Sequence, residues 1–182
     1  MLLLYAVAVG IIAGYVVGGR LERLGSMGFR WAPIAIAGFV VQLAIFGPLE
    51  TVVGAAGLPL YLGSTVAVLL AVIRNIAIPG LALVVVGTVS NLAAIVANGG
   101  VMPADPGAVT IAGIEHGPGF SNSAIVGSPA LAPLTDVFAL PAGVPLANVF
   151  SIGDVLIGVG IAIAIAAGMR SRPVVQVDNS YD

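Results

Sequence analysis

The sequence predicts an all-α membrane protein, five transmembrane helices with a long irregular extracytoplasmic lid between the fourth and the fifth. Three observations predict it. The 182 residues are 59% hydrophobic and only 8% charged, with a mean hydropathy of +1.16. A soluble domain carries about 25% charged residues, so a surface this poor in charge needs lipid as its solvent. Five apolar runs reach membrane-spanning length, at residues 2–18, 31–48, 58–78, 81–98 and 152–169. All six basic residues are arginines, and all fall on one side when the five runs alternate in direction.

The first run opens directly on Met1-Leu-Leu-Leu-Tyr-Ala-Val, with no basic stretch ahead of it. A signal peptide has such a stretch and a small-residue cleavage site, so the run reads as a retained first span. Gly10, Gly14 and Gly18 recur every four residues and line one helix face. Small residues at that spacing let a neighbouring backbone come close, within the chain or between chains. A polar break follows, carrying Arg20, Glu22, Arg23 and Arg30. The second span then starts at Trp31, where interfacial aromatics sit, and holds Gln42 in the half away from the arginines. Glu50 and a Gly/Pro turn close it.

The third span ends with Arg74 and Asn75. A charge at mid-membrane costs at least about 2.5 kcal/mol but much less near the interface, so Arg74 is read as snorkelling or as meeting a lipid headgroup or a neighbouring helix. Pro79-Gly80 makes a tight connection to the fourth span, which carries Ser90 and Asn91. An amide in hydrocarbon has no water, so Asn91 is expected to bond another helix or a ligand. Asn98-Gly-Gly then turns the chain out of the span, because glycine accepts backbone angles that other residues avoid.

Residues 99–150 hold seven prolines, eight glycines and no basic residue, with Asp105, Glu115 and Asp136 their only charges. They are too apolar for a solvated linker and too broken by proline for another span. An ordered lid on the outer helix ends follows, with short helical pieces expected around 123–126 and 135–140. The last span opens on Ser151-Ile-Gly-Asp154, the spacing of a capping box, in which Asp154 accepts a backbone N–H and favours the positive end of the helix dipole. Proton or cation handling is the other reading of Asp154.

Orientation follows from Arg20, Arg23, Arg30, Arg74, Arg170 and Arg172. Basic residues mark the cytoplasmic face. The N-terminus is then outside and the tail 170–182 cytoplasmic, in the inner (plasma) membrane of a cell. The chain reads as one integral membrane domain over 1–182.

Composition also excludes. Six basic residues and a net charge of −2 give no nucleic-acid surface. With no cysteine there are no disulfides and no thiolate chemistry. His116 is the only histidine, a poor basis for a metal or haem site. No nucleophile elbow, phosphate loop or paired intramembrane carboxylate appears, so neither a catalytic constellation nor a cofactor is expected. Glu115 and His116 are read as an exposed loop pair in preference to an acid–base couple.

Asn98-Gly-Gly-Val-Met-Pro103 and, some fifty residues on, Val149-Phe-Ser-Ile-Gly-Asp-Val-Leu-Ile157 are fairly specific pieces. With Gly18-Gly-Arg-Leu-Glu-Arg-Leu24 and Asn91, they make nearly the whole chain resemble a family of small bacterial membrane proteins, domain of unknown function 5317. Thr135-Asp136 stands where that pattern has Gly-Asp. The resemblance implies a five-span membrane protein and supplies no activity.

Two functions remain open. One is a non-enzymatic structural or accessory protein, packed against a membrane-protein partner or a second copy in the lipid bilayer. The other is binding or transport of a small lipid-like or quinone-like ligand at an outer-leaflet site beneath the 99–150 lid. Its candidate residues are Gln42, Asn91, Asn98, Asp105 and Asp154, all placed towards the outer side. The competing reading of that cluster is that these groups satisfy one another and the loop backbone.

Overall fold

The computed structural model describes residues 2–114 and 121–171. It is mostly helical, with α1 (Leu2–Val16), α2 (Ala32–Ile45), α3 (Gly57–Arg74), α4 (Leu81–Ala97), a short α5 (Pro106–Ala112) and α6 (Ile152–Arg170). Two helical stretches, Gly54–Arg74 and Ile152–Arg170, are long and apolar enough to cross a membrane. The helices α1, α2 and α4 are apolar but shorter.

Glycine decides how these helices pack. Helix α6 lies between α1, which runs parallel to it, and α4, which runs antiparallel. A Cβ on Gly10 would come 2.9 Å from the Ala162 backbone, and one on Gly160 would come 2.8 Å from Val84 Cγ2. Gly80 lies against Gly160 and Gly87 against Gly153, so bare backbones meet along this seam. Such contact gains dispersion energy that larger side chains would prevent. The third close approach on the α1 side falls at Gly19, whose Cβ would sit 2.7 Å from Met169 Cβ. Gly18 faces open space with φ 77°. It takes the left-handed conformation that commonly ends a helix, so its place in the four-residue spacing reflects termination.

Helix α2 packs antiparallel on α3, with Gly38 beside Ser64 and Val68. Asn75 fastens one end of this hairpin. Its Nδ2 donates to the Arg30 and Ala71 carbonyls at 2.7 Å each, and its Oδ1 accepts from the Arg30 N–H at 2.7 Å. Val72, Leu81 and Val84 join α3 to α4 near that end, and Tyr61 packs on Ile95 near the other. Arg20 lies at the same end as Asn75, its N–H donating to the Met169 carbonyl at 2.8 Å. Arg23, Arg30, Arg74 and Arg170 lie there too. Arg172 and the rest of the tail fall outside the described residues.

Residues 99–114 and 121–150 fold against the opposite end. Gly99 and Gly100 take φ of 71° and 97°, turning the chain out of α4. Strand β1 (Met102–Pro103) pairs in parallel with β2 (Ser123–Ala124), and β3 (Phe138–Leu140) pairs antiparallel with β4 (Asn148–Phe150). Within the helical pieces expected at 123–126 and 135–140, Ser123–Ala124 and Phe138–Leu140 are strands, and one short 3-10 turn, Ala132–Leu134, stands just before the second. The helix forms instead at α5, where Asp105 Oδ1 accepts the Ala108 N–H at 2.9 Å and Pro106 occupies the first turn. An Asp-Pro pair is a strong helix start, whereas Pro141 has no N–H to bond back into 135–140 and disfavours helical angles at Leu140. Ala104, Ala108, Val109, Ala112 and Val149 form a small core within the segment. Tyr5 of α1 donates its hydroxyl to the Pro145 carbonyl, and Asn98 at the end of α4 exchanges two hydrogen bonds with Ala130, at 2.8 and 2.9 Å.

A two-chamber candidate binding site

Among the described residues the α2–α3 hairpin meets the other helices mainly along α4, and a cavity of about 350 Å3 lies between them. Its wall is mainly Val, Leu, Ile and Phe side chains, among them Phe39, Val68, Val84 and Ile161. A second cavity of about 250 Å3 lies between the helix ends and residues 99–150, and its wall is more polar. Tyr61, Asn91, Ile95, Leu3 and Asp154 line both, so the two chambers adjoin.

The polar group at their junction is built on the start of α6. Ser151, fully buried, caps the helix by accepting the Asp154 N–H at 3.1 Å. Asp154 Oδ2 in turn accepts the Ser151 N–H at 2.9 Å, completing the capping box. Asp154 Oδ1 accepts from Asn91 Nδ2 on α4 at 2.9 Å. The Ser151 hydroxyl has Asn91 Oδ1 at 2.8 Å and Asp154 Oδ2 at 2.9 Å, and its single proton serves one at a time. Gly153 permits this arrangement, because a Cβ there would collide with the Asn91 side chain. Each carboxylate oxygen of Asp154 thus has a donor inside the protein.

Asp136 is different. It sits between Thr135 and β3, is 8% exposed and lines the outer chamber. Its backbone is held, the N–H donating to the Pro103 carbonyl at 2.9 Å and its carbonyl accepting the Asp105 N–H at 3.0 Å. Among the described residues no donor reaches its carboxylate. Burial, and then the negative charge of Asp154 across the chamber, push the Asp136 carboxyl up from 3.8 to about 7. The buried Ser123 hydroxyl on the same wall also has no hydrogen-bond partner.

The structure brings together only some of the residues expected from sequence. Asn91 and Asp154 form the junction. Gln42 lines the larger chamber and donates to Thr65 Oγ1 at 3.1 Å. Asn98 stands away from both chambers and anchors Ala130, while Asp105 is exposed and caps α5. Glu115 and His116 lie outside the described residues. Sequence reasoning missed Asp136, Tyr61, Asn122 and Asn148 as chamber walls. Two signals bore on Asp136: it is the one charge in a mostly apolar stretch, Leu134 to Leu140, and Thr135-Asp136 stands at the Gly-Asp position of the resembled pattern.

No curated protein and no solved structure matches the chain. The model of a family of unknown function, DUF5317, matches residues 26–166, most of the chain, and the protein belongs to that family.

Proposed function

We propose that the protein is a five-span membrane protein that binds an amphiphile, its chain between the helices and its headgroup beneath residues 99–150, which act as a lid. The observation that carries this reading is the Asn91–Asp154 pair, which stands on the wall common to an apolar and a polar chamber. An apolar molecule with one polar end fits such a division, and ligand pockets commonly combine an apolar wall with a few placed polar groups.

The five-span reading is supported by the up-and-down course of α1 to α4 and α6 and by the five described arginines at one end. Helices of 15, 14 and 17 residues rise about 21–26 Å at 1.5 Å per residue. That falls short of a ~30 Å hydrocarbon core, a mismatch that local thinning and the flanking turns absorb. With arginines inside, the N-terminus and the lid are outside and the C-terminus is cytoplasmic. The structural or accessory reading drew on the low charged content, the glycine face of α1 and the lack of a catalytic motif; of these, the glycine face is occupied at Gly10 and Gly14 by α6 of the same chain.

Native mass spectrometry of protein extracted in a mild detergent tests the binding reading. An amphiphile retained at one per chain is expected, and Thr88→Phe, which fills the apolar chamber, should abolish its retention. An identical spectrum for wild type and Thr88→Phe, with or without bound lipid, would contradict it.

A further inference from the structure

The headgroup chamber has an acidic character that narrows what it can hold. Asp136 is nine-tenths buried, faces the chamber and has no donor among the described residues. A buried carboxylate without a partner is costly, and the cost is removed by a cation that also donates hydrogen bonds. Asp154 does not supply this, since both its oxygens are committed to Asn91 and Ser151, and its charge adds to the negative potential. Among the described residues no Arg side chain lines either chamber.

The remaining polar wall consists of neutral groups that can accept as well as donate. Tyr61, Asn122, Asn148 and the unpartnered Ser123 hydroxyl all border the space beside Asp136. An ammonium group is a compact cation with three donors and no acceptor, which matches one carboxylate and two neutral oxygens. An anionic headgroup would face two carboxylates, and a hydroxyl headgroup would leave the carboxylate's charge unmatched.

We propose that the outer chamber binds the ammonium headgroup of a lipophilic amine, with Asp136 as its counter-ion, on the strength of a buried carboxylate that no donor reaches among the described residues and of the unpartnered Ser123 hydroxyl beside it. The inference rests on the amphiphile-binding reading above and adds the class of headgroup.

The test is calorimetric titration of the full chain in phosphatidylcholine nanodiscs with dodecylamine, dodecanol and dodecanoate, using empty nanodiscs as the blank. These share a chain and differ in the charge of the head. At about pH 8, where Asp136 is ionised, dodecylamine should bind at least about tenfold more tightly than dodecanol, as charge-assisted hydrogen bonds imply. Dodecanoate should bind least. Asp136→Asn should bring dodecylamine to within about twofold of dodecanol measured on the same variant.

Equal binding of amine and alcohol to the wild type would overturn the headgroup assignment and leave the cavity reading standing. A preference for amine that survives in Asp136→Asn would overturn the role of Asp136. Failure of all three probes would remove both readings. The wild-type comparison decides the charge preference even if the variant folds poorly. Repeating it with phosphatidylethanolamine in the nanodisc separates two sources of the same chemistry. Competition by that lipid identifies a membrane aminolipid, and none identifies a free amine; either result keeps the ammonium as the recognised group.

Discussion

Asn91 on α4 donates its side-chain N–H to Asp154 on α6 at 2.9 Å, across a seam where Gly87 and Gly153 bring the two backbones together. The bond exists because the glycines are there. A Cβ on Gly153 would fall 2.8 Å from Asn91 Cγ, and one on Gly87 would fall 2.8 Å from Ile157 Cγ1. A polar contact and a close helix crossing therefore depend on each other at the junction of the two chambers.

Replacing Asn91 tests that dependence. Asn91→Ala deprives Asp154 Oδ1 and the Ser151 hydroxyl of a partner, and a loss of roughly 1–3 kcal/mol in stability is expected. Thermal unfolding in detergent should show a lower midpoint. An unchanged midpoint would mean that water or detergent replaces the amide at no cost.

Asp154→Asn should be mild by comparison. Asn still accepts the Ser151 N–H through its oxygen, and a flipped Asn91 accepts from its new amide group. Asn also caps nearly as well as Asp, leaving a helix-dipole loss of ~0.3–1 kcal/mol. A severe loss of stability here would show that the charge of Asp154, beyond its hydrogen bonds, holds the helix start.

The glycine seam predicts a sharp contrast between neighbours of the same type. Gly160→Ala forces a methyl to within 2.8 Å of Val84 Cγ2, and overpacking of this kind costs about 1–3 kcal/mol. Gly63→Ala meets nothing within 4 Å and should be neutral or slightly stabilising, since alanine favours a helix. Equal midpoints for the two variants would contradict the close α4–α6 packing.

Asp136 sets a pH dependence whose sign is fixed by its raised pKa. In the unfolded chain the group ionises near 3.8, and in the fold it holds its proton up to about 7. Between those values the folded state binds more protons, so this contribution to stability falls as pH rises and levels off above about 7. The difference in midpoint between Asp136→Asn and wild type should therefore widen in favour of the variant from pH 4 to 7. A constant difference would mean that Asp136 is solvated.

What was legible in the sequence was local or periodic. Ser151-x-x-Asp154 spells out its own capping box in four residues, and hydropathy located the long apolar helices to within a few residues of their observed ends. Asn98-Gly-Gly announced the turn that Gly99 and Gly100 make with positive φ. Asp136 was not legible as a neighbour of Asp154, because nothing short-range in 99–150 shows that Asp136 comes to lie alongside Pro103 and Asp105 at the ends of the helices. Strand β3 was hidden for the same reason, since its partner β4 begins eight residues after β3 ends. Gly18 and Gly19 show the limit of spacing arguments. The four-residue period pointed to Gly18, while termination of α1 left the contact with Met169 to Gly19.

Photo-crosslinking tests the central claim, an amphiphile held between the helices, most directly. A twelve-carbon amine carrying a diazirine at the end of its chain is irradiated with the protein in nanodiscs, and the labelled peptides are mapped. The account predicts labelling on the chamber walls of α3 and α4, at positions such as Val68, Val84 and Thr88, competed away by unlabelled dodecylamine. Labelling confined to the exposed residues Ile36, Val40 and Leu43 of α2 and unaffected by competitor would show bulk lipid contact, and would contradict it.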